Sequence, residues 1–196
     1  MSSPGLFSGP VGTHTRRAGR GRSSIALGTM ATSLALAGPV PAEVVSSGES
    51  GFVTKASVLV RVAPAAAYAR FVDIGSWWDP AHSYSQDGKR MSLKAEPGGC
   101  FCESLESGGF VEHLRVIFVE PGKILRLQGG LGPLQEMGAA GTMSVKFEQA
   151  GTETRVTLSY MVTAFLPGRT ATEIAGPVDG VLQQQLQRFQ RSANGG

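Results

Sequence analysis

The sequence predicts an α+β fold in which a curved antiparallel sheet of about six or seven strands wraps around one long C-terminal helix. From Phe52 onward the hydrophobic residues recur with a period of two, which is typical of strands with one buried face. The period becomes helical twice, briefly after Pro64 and for longer from Pro177. Because a curved sheet cannot bury its concave face alone, we expect the long helix to cover that face and enclose a cavity.

The first strand and helix are predicted from the pattern of residues 52–72. The even-numbered positions of 52–62 are mostly apolar, and polar residues such as Lys55 and Arg61 alternate with them, which indicates a half-buried strand. Pro64 then favours a helix start, and the alanine-rich residues 65–72 continue it. A loop rich in Gly, Asp and Ser follows to residue 90. Between the first strand and the next we therefore expect one or two short helices, counting the one at 65–72.

Six further strands are separated by turn residues. They are predicted at 91–95, 100–104, 111–119, 124–128, 142–148 and 154–163. Glycine and proline fill the short connections between them, which favours a meander of hairpins. In the closing helix Pro177 fits the first turn, where its missing N–H is tolerated. The apolar face of this helix is formed by Val178, Val181, Leu182, Leu186 and Phe189.

The first 42 residues have the layout of a secretory signal peptide. They contain four arginines and no acidic residue, then a weakly apolar run over 25–37, then small residues up to Ala42. The run is shorter than the about 20 residues that a membrane-spanning helix needs. We expect cleavage after Ala42, with Ala37 as the second choice, and a periplasmic or secreted protein. The alternatives are a disordered tail or a true start at Met30.

The length and charge predict one domain without a nucleic-acid surface. We expect a leader at 1–42, a flexible linker at 43–51, a single domain at 52–192 and a disordered tail at 193–196. The four arginines of the leader exceed the net charge of +3, so the remainder of the chain is not basic. After leader removal we expect no integral membrane segment, and a monomer or weak dimer.

Four local strings carry a resemblance to a known family. They are Trp-Trp-Asp-Pro-Ala-His-Ser-Tyr-Ser at 77–85, Gly-Cys-Phe-Cys-Glu at 99–103, Val-Glu-His-Leu-Arg-Val at 111–116 and Gly-Gly-Leu-Gly-Pro-Leu-Gln at 129–135. With the element order, they resemble the START-like helix-grip (SRPBCC) superfamily, in its polyketide cyclase/dehydrase-like bacterial branch. The resemblance implies the fold and an internal cavity for a hydrophobic ligand. It implies no shared reaction, because the superfamily includes lipid carriers, hormone binders and aromatic polyketide cyclases.

The preferred interpretation is a binding protein for a small hydrophobic or amphipathic molecule, without a cofactor. Affinity would come from buried apolar area, and a few polar side chains would orient the ligand. The tryptophans at 77 and 78 would form an aromatic gate, although ordinary packing under a loop explains one of them equally well. The residues predicted to bind the ligand are Trp77, Trp78, His82, Tyr84, Phe101, Phe118, Met137, Met143 and Tyr160.

Glu103 and His113 are the candidate catalytic residues of a rival interpretation. They lie on neighbouring predicted strands, where alternate residues face the cavity. An imidazole beside a carboxylate suits proton abstraction from an activated carbon, as a cyclase or dehydratase requires. The alternative is a polar pair on the solvent face, since residues 111–119 are apolar on both faces and do not settle the direction of His113.

Cys100 and Cys102 are two residues apart on a strand, so their thiols should share one face. Extended geometry separates their Cα atoms by about 6 to 7 Å, so we expect no disulfide between them. With His113 they could supply soft ligands to zinc or copper. We expect instead that both thiols are small packing residues beside Phe101 and that no metal is bound, and the metal set is kept as the alternative.

Overall fold

The computed structural model describes residues 43–195 and contains one sheet and two α-helices. The strands are β1 (Glu43–Ser47), β2 (Gly51–Val60), β3 (Met91–Leu93), β4 (Cys100–Ser104), β5 (Phe110–Glu120), β6 (Ile124–Gln128), β7 (Ala140–Ala150) and β8 (Glu153–Thr163), and the helices are α1 (Pro64–Val72) and α2 (Ala171–Ala193). All neighbouring strands are antiparallel, in the order β1-β2-β8-β7-β6-β5-β4-β3. The predicted α+β architecture is confirmed.

The central strands follow their sequence alternation. In β7 and β8 every second residue is buried, and Val145 of β7 pairs with Leu158 of β8. These inward side chains pack against α2, whose buried residues include Leu182, Leu186 and Phe189. Period-two strands and a period-3.6 helix therefore bury their apolar faces against each other.

The predicted linker at 43–51 is wrong, because these residues form β1 and a turn into β2. β1 pairs with β2 at the edge of the sheet, which raises the strand count to eight. The turn also receives the start of α2: the N–H groups of Ala171 and Thr172 donate to the carbonyls of Glu49 and Gly48, respectively. The first N–H groups of a helix have no partner within it, so this turn satisfies two of them.

The long helix begins six residues earlier than predicted. Thr170 is its N-cap, and the Thr170 and Glu173 side chains form a capping box. Pro177 consequently lies inside the helix rather than in its first turn. The helix ends at Ala193, which is buried, and Asn194 accepts a hydrogen bond from the N–H of Arg61 at 2.8 Å. The tail is therefore ordered beyond the predicted boundary at residue 193.

An aromatic cluster fills the space between α1, α2 and β7. The ring of Phe71 contacts the rings of Trp77, Phe147 and Phe189, with centroids 5.1 to 5.7 Å apart. This part of the interior is packed with side chains. Within residues 43–195, no helix has both the length and the apolar character needed to cross a membrane. The predicted leader lies outside the described residues and stays a prediction.

Candidate ligand-binding site

A cavity of about 510 Å³ lies between the inner side of the sheet and α2. Its walls are the segment 78–84, the loop 131–137, one residue of β5 and the first half of α2 with the residues just before it. The apolar lining residues are Trp78, Ala81, Leu131, Pro133, Leu134, Met137, Ile174, Pro177, Val178, Val181 and Leu182. The volume falls within the range of about 300 to 1,000 Å³ that is usual for small-molecule sites.

A β-bulge in β5 directs His113 into the interior. Phe101 of β4 pairs with Leu114, but the next residue, Cys102, pairs with Glu112. His113 is therefore an extra residue on β5, and both it and Leu114 are buried. A bulge allows two consecutive side chains to point to one face, which strict alternation forbids. This explains why the sequence pattern left the direction of His113 open.

Glu103 binds the His113 ring on the side away from the cavity. The Nε2 of His113 lies 3.0 Å from Oε2 of Glu103, and both side chains are nearly inaccessible, with 3% and 0% of their surface exposed. The carboxylate also accepts hydrogen bonds from the N–H groups of Tyr84 at 3.2 Å and Ser85 at 2.5 Å. Three donors therefore converge on one buried carboxylate, which fixes its position.

The pKa values of this pair are shifted in the same direction. Burial alone would raise the pKa of Glu103, but the hydrogen bonds from Ser85, Tyr84 and His113 together lower it below its ordinary value. Burial lowers the pKa of His113, and this outweighs the opposing effect of Glu103. The pair therefore favours an ionised carboxylate beside a neutral imidazole.

The other ring nitrogen of His113 has no partner within residues 43–195. Nδ1 is the single buried side-chain nitrogen or oxygen atom of residues 43–195 without a hydrogen bond. Tyr84 stacks on the ring with centroids 6.1 Å apart, and Phe101 lies 5.0 Å away from it. Since buried polar atoms are normally paired, an unpaired nitrogen on a cavity-lining residue indicates a place for a ligand or water.

His82 is the second cavity-lining histidine and is fixed from two sides. Its Nδ1 lies 3.0 Å from Nε2 of Gln185, which is buried on α2. Its carbonyl accepts a hydrogen bond from Nε1 of Trp78 at 2.9 Å. Gln185 also accepts the N–H of Asp79 at 2.9 Å, so one amide side chain ties the 78–82 segment to the helix.

No protein-family model and no curated protein matches the sequence. Among solved structures, the di-domain ARO/CYC StfQ from the steffimycin biosynthetic pathway is 15% identical with a TM-score of 0.51, over 74% of this chain and 51% of StfQ. Ara h 8.0201 is 13% identical with a TM-score of 0.50, over 73% of this chain and 97% of its own. The chain has the helix-grip fold. At these identities the likeness establishes the fold and no activity.

Several predicted residues lie on the wall of the helix-grip cavity. Trp78, His82, Tyr84, His113 and Met137 all line it. Glu103, by contrast, lies behind His113 and is reached only through it. The two predicted catalytic residues therefore contact each other, but of the two His113 alone lines the cavity.

Four predicted ligand contacts belong to the packed core instead. Trp77 packs against Phe71 and Phe189, while Phe101 and Met143 are buried in the layer beneath the cavity, so these predictions are wrong. Tyr160 is buried as well, and burial raises its pKa to about 12. Its hydroxyl donates to the carbonyl of Gly129 at 2.7 Å and accepts from the N–H of Leu131 at 3.0 Å. Tyr160 therefore positions the loop that carries Leu131 to the cavity.

Phe118 lies on the outside of the sheet, so its prediction as a ligand contact is wrong. A second irregularity in β5 separates the pairs Val116 with Leu127 and Phe118 with Arg126. Phe118 is 46% exposed, and the guanidinium of Arg126 lies 5.3 Å from its ring centroid. A bulge at residue 117 has reversed the face on which Phe118 was expected.

Cys100 and Cys102 form a disulfide, contrary to the expectation from strand geometry. The two Cα atoms lie 5.4 Å apart, within the usual range for a disulfide, so β4 is less extended at the cysteines than the sequence argument assumed. The metal set that was kept as an alternative does not assemble in residues 43–195, because the bonded sulfurs lie near Glu112 on the outer face while His113 points inward. The bonded sulfurs are no longer thiolate ligands.

Sequence reasoning missed Gln185 and much of the apolar wall. Gln185 could not be distinguished from the other glutamines of α2 in the sequence. Its position three residues after Leu182 nevertheless places it on the apolar face. Ile174 was missed because the helix was started too late. The Thr170 to Glu173 spacing of a capping box was the signal that could have corrected this.

Proposed function

We propose that the protein binds a small hydrophobic or amphipathic molecule in the cavity between the sheet and α2. The observation that supports this proposal is the coexistence of a largely apolar cavity of about 510 Å³ with the unpaired Nδ1 of His113. Apolar contact would provide affinity at about 25 cal/mol per Å² of buried area. One buried polar atom would then orient the ligand.

The cavity lining explains the expected selectivity for apolar molecules. Two charged side chains line the cavity, Arg169 and Glu173, and they face each other at 3.7 Å while remaining more than half exposed. The inner part of the wall is formed by residues such as Trp78, Leu134 and Leu182, which are buried. A polar or highly charged ligand would lose its hydration there without compensating contacts.

A cavity-filling variant tests this proposal. Val181 lines the cavity, whereas Gln184 lies on the exposed side of α2, so Val181→Trp should block the site and Gln184→Trp should not. We expect 2-naphthol to bind Val181→Trp about tenfold more weakly than wild type, as measured by isothermal titration calorimetry. The Gln184→Trp control should bind like wild type. Equal binding by both variants, with both folded by circular dichroism, would contradict the proposal.

A second candidate function is acid-base catalysis of the cyclase or dehydratase type. The specific observation that favours it is the neutral His113 ring with an unpaired Nδ1 and a carboxylate on Nε2. In this arrangement Nδ1 would accept a proton from a carbon next to a carbonyl group, and Glu103 would stabilise the imidazolium that forms. Glu103 would then act as a positioning residue.

Hydrogen exchange tests this second function without knowledge of the natural substrate. In D₂O the methyl protons of 2-acetonaphthone should exchange faster with the protein than in buffer, and His113→Gln should remove most of the acceleration. Phe118→Ala, on the outer face of the sheet, is a control outside the proposed proton path. If exchange in the presence of wild-type protein equals that in buffer, the catalytic function is rejected while the binding function stands.

Export to an oxidising compartment is the third part of the proposal. The disulfide between Cys100 and Cys102 supports it, because disulfides persist mainly in secreted and periplasmic proteins. The leader pattern of residues 1–42 is independent support. Intact-mass measurement of the protein from its native host should give a chain that begins at Glu43 with two hydrogens fewer than the dithiol. An uncleaved, reduced chain would contradict export.

A further inference from the structure

We infer that the cavity recognises a molecule carrying both a hydrogen-bond donor and a carbonyl-type acceptor on an apolar framework. His113 would accept from the ligand's hydroxyl group, and His82 would donate to its carbonyl oxygen. This inference rests on the proposed binding function and names its ligand class. It depends on which nitrogen of each ring carries hydrogen, and the neighbouring side chains determine this.

The hydrogen on the His113 ring is assigned by Glu103. An ionised carboxylate can only accept hydrogen bonds, so the His113 nitrogen 3.0 Å from it, Nε2, must carry the hydrogen. In the neutral ring Nδ1 is then a bare acceptor. It is also the buried atom without a partner within residues 43–195, so no described residue uses its acceptor capacity.

The hydrogen on the His82 ring is assigned through Gln185. The N–H of Asp79 can only donate, so the Gln185 atom 2.9 Å from it is the amide oxygen. The amide NH₂ group of Gln185 therefore faces His82 and donates to Nδ1 at 3.0 Å. Because Nδ1 accepts, the neutral His82 ring carries its hydrogen on Nε2, which makes Nε2 the ring donor of a residue that lines the cavity.

The two histidines thus offer opposite groups to one cavity. His113 presents an acceptor and His82 presents a donor, and both residues line the same space. Trp78 connects the two histidines through contacts. Its indole N–H donates to the His82 carbonyl, and its ring contacts Phe101, which packs on the His113 ring. This packing fixes both rings with respect to the sheet. A hydrocarbon would satisfy neither ring, and a polyol or a charged ligand would be excluded by the apolar remainder of the wall.

Four probes on one ring system test the inference: naphthalene, 2-naphthol, 2-acetonaphthone and the hydroxy-2-acetonaphthones. The full-length chain, with ¹⁵N in its histidine rings, is studied at a pH where the rings are neutral. His14 gives the third set of signals, which His14→Gln identifies. Without a probe, we expect hydrogen on Nε2 of both His82 and His113. 2-Naphthol should shift Nδ1 of His113, and 2-acetonaphthone should shift Nε2 of His82.

Binding constants provide the second readout. His82→Phe should weaken 2-acetonaphthone about tenfold and change naphthalene by less than about twofold. Gln185→Met should weaken the same ketone and produce a mixture of His82 tautomers, which a loss of packing alone would not do. Gln184→Met is the matched control on the exposed side of α2. At least one hydroxy-2-acetonaphthone should bind more tightly than either singly substituted parent.

The outcomes separate this inference from the proposed function. If the probes bind but His82 carries its hydrogen on Nδ1, or if the ketone does not perturb His82, the inference is wrong and the binding function remains. The same holds if no hydroxy-2-acetonaphthone exceeds both parents. If neither naphthalene nor any derivative binds, the proposed function itself is overturned and the ligand class with it.

Discussion

Strand β5 contains two bulges with opposite consequences. At the first, His113 is the extra residue and its ring turns inward, where 3% of its surface is exposed. At the second, Ile117 is the extra residue, and both Ile117 and Phe118 point outward, 47% and 46% exposed. One inserted residue in a strand therefore either adds a side chain to the cavity or removes one from it.

The difference lies in what receives the side chain. The first bulge has a buried partner, because Glu103 on the adjacent strand accepts from the imidazole. The second has no such partner among the described residues, and Arg126 covers Phe118 at the surface. A bulge thus sets the direction of a side chain, and contacts with the neighbouring strand stabilise the side chain in that direction. The first bulge positions a candidate functional group, while the second adjusts the sheet's outer surface.

Removal of Glu103 should give the largest effect on this comparison. Glu103→Ala leaves the His113 ring and two backbone N–H groups without their acceptor, so the free energy of unfolding should fall by about 3 kcal/mol. Glu112→Ala is the matched control, since that carboxylate pairs with Arg115 on the outer face and should matter by less than about 1 kcal/mol. Urea unfolding measures both. Equal losses would show that the inner pair has no special role.

The disulfide should have a smaller effect, and its loss should leave His113 in place. Replacing Cys100 and Cys102 by Ser removes a closed loop of three residues, which corresponds to about 1.5 kcal/mol of stability. Because Glu103 holds the His113 ring, the ¹⁵N signals of His113 should be unchanged. A shift of those signals in the double variant would mean that the disulfide is needed to keep the conformation of the first bulge. The second bulge has no disulfide beside it.

Acid should destabilise the first bulge. The unfolded chain protonates His113 near its ordinary pKa of 6.5, whereas the folded chain resists protonation to a lower pH. The stability contribution is therefore complete above pH 6.5 and is lost as the pH falls toward the folded pKa, with a slope of at most about 1.4 kcal/mol per pH unit. Glu103, whose folded pKa lies below 4.5, adds a further loss at lower pH. His113→Gln should abolish its own part of the slope, and an unchanged slope would contradict a buried neutral ring.

The second bulge should give the smallest effect. Phe118→Ala removes an exposed ring and its contact with Arg126, so the expected loss of stability is about 0.5 kcal/mol. Binding of 2-naphthol should not change. If Phe118→Ala weakened binding as much as Val181→Trp, the outer face rather than the cavity would hold the ligand.

Most elements could be predicted from the sequence because their periodicity is strong. The buried alternation of β2, β7 and β8 and the apolar stripe of α2 are properties of the residues themselves. Edge strand β1 was missed because it has one partner strand and exposes most of its residues. The start of α2 was misplaced because Pro177 was given more weight than the capping box at Thr170.

The candidate site was less predictable, and the reason is the bulges. Periodicity determines the face of a side chain only while the pairing is regular, and β5 is irregular at His113 and again at Ile117. The disulfide was missed for a related reason, because the ideal strand spacing that was used for Cys100 and Cys102 does not hold in β4. Gln185 could not be identified because its role depends on His82 and Asp79, about a hundred residues away in sequence.

A crystal structure of the full-length chain grown with 2-naphthol would show where the ligand binds. We predict density for the naphthalene ring between Trp78 and α2, with its hydroxyl within hydrogen-bonding distance of Nδ1 of His113 and with Glu103 still bound to Nε2. A ring bound on the outer face of the sheet, or a cavity closed by side chains with His113 turned away from it, would contradict binding in the cavity.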